Sequence, residues 1–287
     1  MKNVIITALV ALGLTSCGKN FIENEDQKYL DLNREEIRAF NEANSLGLEE
    51  NVATGIFFKK LVEVESPVYP EGDVTLHIAF KLSTLDGKEL INVTAEDSSF
   101  FAASSSSSVF QGFVIALSSL GEGEKGIFYL PSPLVYGANP PDNFPLDPWE
   151  VTVLEMENIK FYGEEDFIDL FISMNNLASP EVTDKGVRIV RNDDRPADGD
   201  LVVGDVVKVK YKGYFLNKTT FDEGEFEVSL GSGSVIPGFD DGLLNMRVGE
   251  KATLIIPWSL GYGEAGSGSI PGKTTLAFDV EVVSKSN

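Results

Sequence analysis

The chain of 287 residues contains one segment twice, and this duplication limits the possible fold more than any other feature. Residues 109–137 align without a gap on residues 235–263. Because the repeat spans about 125–130 residues, which is the size of a domain, it predicts two similar domains rather than a solenoid. The residues identical in both copies are Val109, Gly112, Phe113, Leu117, Gly123, Glu124, Lys125, Pro131, Leu134, Tyr136 and Gly137, which match Val235, Gly238, Phe239, Leu243, Gly249, Glu250, Lys251, Pro257, Leu260, Tyr262 and Gly263.

The elements that precede each copy repeat as well. In the first half, Asn33 has the pattern of an N-cap that starts a helix, and residues 55–62 predict a strand. In the second half, residues 166–175 carry one apolar helical face and residues 186–190 predict a strand. The boundary between the two domains is therefore expected near residues 160–164.

The second copy predicts a short helix packed on a sheet. Val235 and Ile236 suit the end of a strand, and Pro237 suits a first helical turn because it has no N–H to donate. The helix that follows is too short to be stable alone, so its apolar residues need a sheet to lie on. Residues 206–214 and 276–282 alternate between apolar and polar, as strands with one buried face do. This pattern predicts an antiparallel sheet around the helix, with a pocket between them.

Residues 235–263 resemble the central signature of the FKBP-type peptidyl-prolyl isomerases. They contain V-I-P-G-F-D-D-G-L, then V-G-E-K, a proline-containing strand and finally Y-G. The resemblance implies an α+β fold of two FKBP-like domains. Each would be a curved antiparallel sheet wrapped around a short helix and preceded by an N-terminal helix and strand. We expect a degenerate domain over residues 31–160 and an isomerase domain over residues 161–287.

The resemblance also implies the site residues of the second domain. The backbone N–H of Ile236 and the hydroxyl of Tyr262 would donate hydrogen bonds to carbonyls of a bound peptide, and Asp222 would form a polar wall. Residues 223–225 are shorter than the usual family loop and offer Asp222 no arginine partner. The expected catalytic residues are Tyr211, Phe221, Asp222, Ile236, Phe239 and Tyr262, and the expected substrate-binding residues are Phe226, Val235, Ile270 and Phe278.

The first copy departs from the family pattern where the site should be. Leu90 and Ile91 replace the Phe-Asp pair, and Phe80 stands in the place of the first-strand Tyr. Residues 139–148 form a proline-rich loop over the expected pocket, although Tyr136 is kept. This predicts weak or no isomerase activity. Peptide binding, packing against the second copy or dimerisation are its alternative uses, and a repacked core is the simplest explanation.

The first 17 residues have the features of a bacterial lipoprotein signal. Lys2 precedes an apolar run over residues 4–14, which is too short to span a bilayer. Cys17 then resembles a lipobox cysteine, which implies cleavage before it, acylation and a lipid anchor in the bacterial cell envelope. An ordinary signal peptide or a buried helix are the alternatives. The polar residues 18–30 are expected to form a tether.

The composition of the chain disfavours several classes of binding partner and of catalytic site. A net charge of −22 and a pI of about 4.3 disfavour nucleic acid and anionic lipid heads, so the lipid rather than the charge would hold the protein at a membrane. With one His and one Cys, no Cys/His zinc site or intramolecular disulfide is available, and His77 lies in a strand-like run, where a core or edge position is the better interpretation than a catalytic triad. We expect no metal and no cofactor.

The leading hypothesis is a lipid-anchored peptidyl-prolyl cis-trans isomerase that acts on proline-containing polypeptides folding in the envelope. The alternative is a non-catalytic chaperone or assembly module that binds apolar segments. A third hypothesis is an accessory part of an envelope machine. The sequence leaves open the client proteins, the membrane and face that hold the anchor, and the oligomeric state.

Overall fold

The computed structural model describes residues 24–72, 74–97, 100–102, 109–192, 196 and 199–286. These residues form two antiparallel sheets with short helices, which confirms the expected α+β class. The predicted signal peptide and Cys17 lie outside the described residues, so the lipid anchor stays a prediction. No helix within the described ranges is long and apolar enough to cross a membrane.

The first domain contains one sheet and two helices. Its strand order is β1-β2-β6-β7-β3-β4, and β5 pairs with β3. The elements are α1 Glu25–Asn44, β1 Glu49–Asn51, β2 Ile56–Val62, β3 Thr75–Thr84, β4 Glu89–Val93, β5 Phe100–Ala102, α2 Gln111–Ser119, β6 Lys125–Leu130 and β7 Thr152–Tyr162.

The second domain repeats this topology. Its strand order is β8-β9-β12-β13-β10-β11, so each strand has the place of its counterpart in the first sheet. The repeat seen in the sequence is therefore a repeat of strand pairing, not only of residues. The elements are α3 Glu164–Met174, β8 Glu181–Val182, β9 Arg188–Arg191, β10 Val206–Phe215, β11 Thr220–Ser229, α4 Pro237–Leu244, β12 Lys251–Ile256 and β13 Leu276–Ser286.

Each sheet is covered by a helix on both faces. The short helices α2 and α4 lie on the inner face, where Phe113 and Phe239 are buried in the main cores. The longer helices α1 and α3 cover the outer face, where Ile37 and Ile168 are fully buried. The expectation of one solvent-facing side is therefore wrong for the central strands. Ile255 is buried on the outer face of β12 because α3 packs over it.

Helix α1 begins earlier than the sequence pattern predicts. It starts at Glu25, so Asn33 lies inside the helix and is not its N-cap. Asn33 is 4% exposed and its side-chain oxygen accepts a hydrogen bond from the N–H of Ser132 at 2.9 Å. This tertiary contact keeps a polar residue inside the helix. Residues 25–30, within the predicted tether 18–30, are consequently the first turns of α1.

A buried glutamate fixes the same turn in both domains. Glu124 is 1% exposed and accepts hydrogen bonds from Lys60 Nζ at 2.6 Å and from the N–H of Gly121 at 2.8 Å. Burial disfavours its charged form, but the two hydrogen bonds outweigh burial and hold the pKa of Glu124 below its ordinary value. Glu250 is equally buried and accepts from the guanidinium of Arg191. The Gly-Glu-Lys sequence of the repeat is thus a structural feature.

Candidate functional site

A pocket of about 370 Å³ opens between α4 and the inner face of the second sheet. It contains every predicted site residue except Ile270, which is 8% exposed and packs in the core of the domain. Ser234, which the sequence did not single out, is also at the pocket wall. The lining residues are Tyr211, Phe221, Asp222, Phe226, Ser234, Val235, Ile236, Phe239, Tyr262 and Phe278.

Aromatic rings form the floor and walls of the pocket. Phe239 is 3% exposed and lies at its centre, with its ring centroid 5.2 Å from that of Phe278 and 6.2 Å from those of Tyr211 and Phe226. The rings of Phe239 and Phe278 meet edge to face, an arrangement that aromatic pairs favour. The floor of the pocket is therefore apolar and consists of aromatic rings in contact with one another.

One hydrogen bond joins the two polar walls of the pocket. The hydroxyl of Tyr211 on β10 donates to Asp222 Oδ2 on β11 at 2.7 Å. Burial, and then the hydrogen bond to Asp222, raise the pKa of Tyr211 to about 12, so the hydroxyl stays protonated at neutral pH. Gly213, which pairs with Asp222, leaves room for two aromatic rings of the pocket, because a Cβ there would lie 2.7 Å from the rings of Phe221 and Phe278.

The strand β11 explains the short segment 223–225. These residues are not a loop, because β11 continues through them and pairs with β10. Glu225 forms ion pairs with Lys208 at 2.5 Å and Lys210 at 3.7 Å. Asp222 is therefore held in place by Tyr211 across the strand pair.

Tyr262 is at the open side of the pocket. It is 38% exposed and follows the single turn Trp258–Leu260. The N–H groups of Gly261 and Gly263, on either side of it, both donate to the carbonyl of Trp258, at 3.0 Å and 3.1 Å. Ile236 is at the N-cap of α4, where its carbonyl accepts the N–H of Phe239 at 3.0 Å. The two predicted donors thus flank the aromatic floor.

Aromatic side chains pack on one another in the corresponding region of the first domain. Phe110 aligns with Ile236, and its ring lies 5.8 Å from those of both Phe113 and Tyr136. Phe144, from the proline-rich loop, packs against Tyr136 at 5.3 Å. Burial raises the pKa of the Tyr136 hydroxyl. Among the described residues, these contacts therefore differ from those around Ile236 and Tyr262 in the second domain.

Comparison with known proteins finds relatives that are similar to the second domain. Residues 198–283 match the family model described as FKBP-type peptidyl-prolyl cis-trans isomerase. Over 86 residues the chain is 50% identical to FK506-binding protein 2 of Dictyostelium discoideum, a match that covers 28% of this chain and 65% of that protein. Over 166 residues it is 33% identical to the human peptidyl-prolyl cis-trans isomerase FKBP9, a match that covers 56% of this chain and 26% of that protein.

A solved structure of three FKBP domains, from wheat FKBP73, is also similar. It covers 84% of this chain and 99% of its own, with 21% identity and a TM-score of 0.37. The chain spans between about a quarter and two thirds of the length of the curated relatives just described.

Proposed function

We propose that the chain accelerates X–Pro isomerisation at the pocket of its second domain, because residues 198–283 match the family model described as FKBP-type peptidyl-prolyl cis-trans isomerase. The observation that carries the proposal is the aromatic pocket itself, with Phe239 as its floor and Tyr211, Asp222 and Tyr262 as its polar groups. The substrates we propose are proline-containing polypeptides.

The pocket supports a mechanism without a covalent step. Rotation about a peptide bond has a barrier of about 18–20 kcal/mol because the planar amide is stabilised by resonance. The twisted transition state loses this resonance and is less polar, so an apolar pocket binds it better than the planar amide. The N–H of Ile236 and the hydroxyl of Tyr262 would hold the flanking carbonyls of the peptide. Catalysis then comes from differential binding of the transition state.

The proposed place of action is the bacterial cell envelope, with the protein held there by a lipid on Cys17. The support is the sequence of residues 1–17, which has a basic start, a short apolar run and a cysteine after small residues. Metabolic labelling of the intact chain with a radioactive fatty acid tests this proposal. Labelling that persists in a Cys17→Ala variant would contradict it.

The test of the activity compares equivalent tyrosines in the two domains. We expect the full chain to accelerate cis-trans exchange in a short X–Pro peptide, measured by NMR exchange spectroscopy. Tyr262→Phe should lower kcat/KM, since it removes a proposed donor. Tyr136→Phe, the matched change in the first domain, should leave it unchanged. The opposite result would move the active site to the first domain.

A non-catalytic peptide-binding module is the second candidate function. The observation in its favour is the first domain, whose aromatic residues Phe110 and Phe144 pack where an active site would be. Binding of an X–Pro peptide without any acceleration of its isomerisation would support this alternative over the enzyme.

A further inference from the structure

We propose that Glu164, the first residue of α3, is a positioning residue for the loop that carries Tyr262. The proposal rests on the proposed isomerase function for its kinetic consequence, but its structural part stands alone. Glu164 Oε1 accepts a hydrogen bond from the N–H of Trp258 at 2.8 Å and another from the hydroxyl of Thr275. One carboxylate oxygen therefore holds both ends of the segment between β12 and β13.

The contact with Trp258 continues to the tyrosine through the backbone. The peptide N–H of Trp258 is held by Glu164, and its carbonyl accepts the N–H groups on both sides of Tyr262. At the far end, the N–H of Lys273 donates to the carbonyl of Gly263 at 2.8 Å. The position of the Tyr262 backbone thus depends on Trp258, a residue that Glu164 holds from outside the loop.

The helix that carries Glu164 is itself firmly attached. Ile168 is fully buried and Phe171 is 3% exposed, and both pack on the outer face of the sheet with Val190, Ile255 and Ala277. The pocket lies on the other face. Helix α3 therefore acts as a fixed support behind the sheet, and Glu164 reaches from it to the loop at the edge.

The first domain contains the same device with a different residue. Asn33 is four residues before the buried Ile37, as Glu164 is four residues before the buried Ile168. Its side-chain oxygen accepts from the N–H and hydroxyl of Ser132, the residue that aligns with Trp258. Its amide also donates to the carbonyl of Trp149, near the far end of that loop, at 3.3 Å. A contact between the outer helix and this loop therefore occurs at the same position in both copies of the repeat.

The experiment measures amide hydrogen exchange and kinetics on the full chain. In Glu164→Ala we expect the amides of Gly261 and Gly263 to exchange about tenfold faster, because a hydrogen-bonded support of the loop is lost. We expect kcat/KM for an X–Pro peptide to fall about three- to tenfold for the same reason. Asp166→Ala is the matched control, since it removes a carboxylate from the same helical turn without touching the loop. It should change neither quantity.

Three further variants separate positioning from general stability. Glu164→Gln keeps an oxygen acceptor, as Asn33 does, and should exchange within about twofold of the wild type. Thr275→Val removes one of the two contacts and should give a smaller acceleration than Glu164→Ala, which keeps the test valid if the alanine variant does not fold. Tyr262→Phe should lower kcat/KM by a smaller factor in the Glu164→Ala variant than in the wild type, because a displaced hydroxyl contributes less to binding.

The outcomes distinguish the two proposals. Unchanged exchange at Gly261 and Gly263 in both Glu164→Ala and Thr275→Val would overturn the positioning role, whatever the activity. If the wild type does not accelerate isomerisation at all, the proposed function is wrong, and the exchange data alone then decide whether Glu164 holds the loop.

Discussion

The hydrogen bond between Tyr211 and Asp222 can be tested by a double-mutant cycle. Tyr211→Phe removes the hydroxyl and keeps the ring that packs on Phe226 and Phe239. Asp222→Ala removes the acceptor. If the two groups act as one unit, removal of either leaves the other without its function, and the double variant should be no worse than each single variant.

The magnitude follows from the geometry and exposure of the pair. The donor and acceptor are 2.7 Å apart, and the acceptor is a carboxylate, so the bond belongs to the stronger class of about 1.5–3 kcal/mol. Asp222 is exposed, however, and water can replace the lost donor. We therefore expect a value just below that class, about 1–1.4 kcal/mol, which corresponds to a five- to tenfold lower kcat/KM in each single variant.

The same strand supplies a control. Tyr214 donates its hydroxyl to Asp279 at 3.0 Å, but on the outer face of the sheet, where it is 5% exposed beneath α3. Tyr214→Phe should lower the free energy of unfolding by about 1–2 kcal/mol and leave kcat/KM unchanged. Isomerisation is measured by NMR exchange and stability by urea unfolding. Effects of Tyr211→Phe and Asp222→Ala that multiply in the double variant would refute the reasoning, as would a loss of activity in Tyr214→Phe.

The pocket, the core and the buried carboxylate each give one further prediction. The pKa of Tyr211 is raised from 10.0 to about 12, so kcat/KM should be constant from about pH 6 to 9. The protonated hydroxyl stabilises the fold, and urea unfolding should show that this stabilisation is lost as the pH rises from about 10 to 12. Gly238→Ala places a Cβ 2.3 Å from Ile256, and this overpacking of about 1–3 kcal/mol should outweigh a gain in helix propensity of about 1 kcal/mol. Gly112→Ala meets Leu130 at 3.1 Å and the carbonyl of Leu134 at 3.2 Å, so its loss of stability in a thermal melt should be the smaller of the two. Glu250→Ala removes the buried acceptor of Arg191 and of the N–H of Arg247, while Arg191 keeps its ion pair with Glu181, and should lower the free energy of unfolding by about 1–3 kcal/mol in urea.

Much of the fold follows from the repeat and the periodicity of the strands. The alternation in β10 places Val207, Val209 and Tyr211 towards the core and Lys208 outwards, and the structure confirms it. The start of α1 was wrong because Asn33 has the pattern of a cap, while its real partner Ser132 is 99 residues away. A contact at that separation leaves no local signal in the sequence.

The candidate site likewise contains some residues that the sequence predicts and some contacts that it does not. The pocket residues could be predicted because a family signature fixes their order along the chain. Ile270 is not among the lining residues, because its loop turns back on itself through a bridge to Ser267 and its side chain joins the core, so its substrate-binding role stays a prediction. The contacts of Glu164 span 94 and 111 residues. They depend on how α3 lies across the sheet, which no pattern within the helix indicates.

The short connection between the two domains has a mechanical consequence. Only Gly163 separates β7, the last strand of the first domain, from Glu164. On one side Tyr162 is paired with Thr75, and on the other Glu164 holds Trp258. A pulling force transmitted along the backbone from the first domain would therefore reach the support of the Tyr262 loop before it reached the sheet of the second domain. A force on the chain and the position of the Tyr262 loop therefore both act through Glu164.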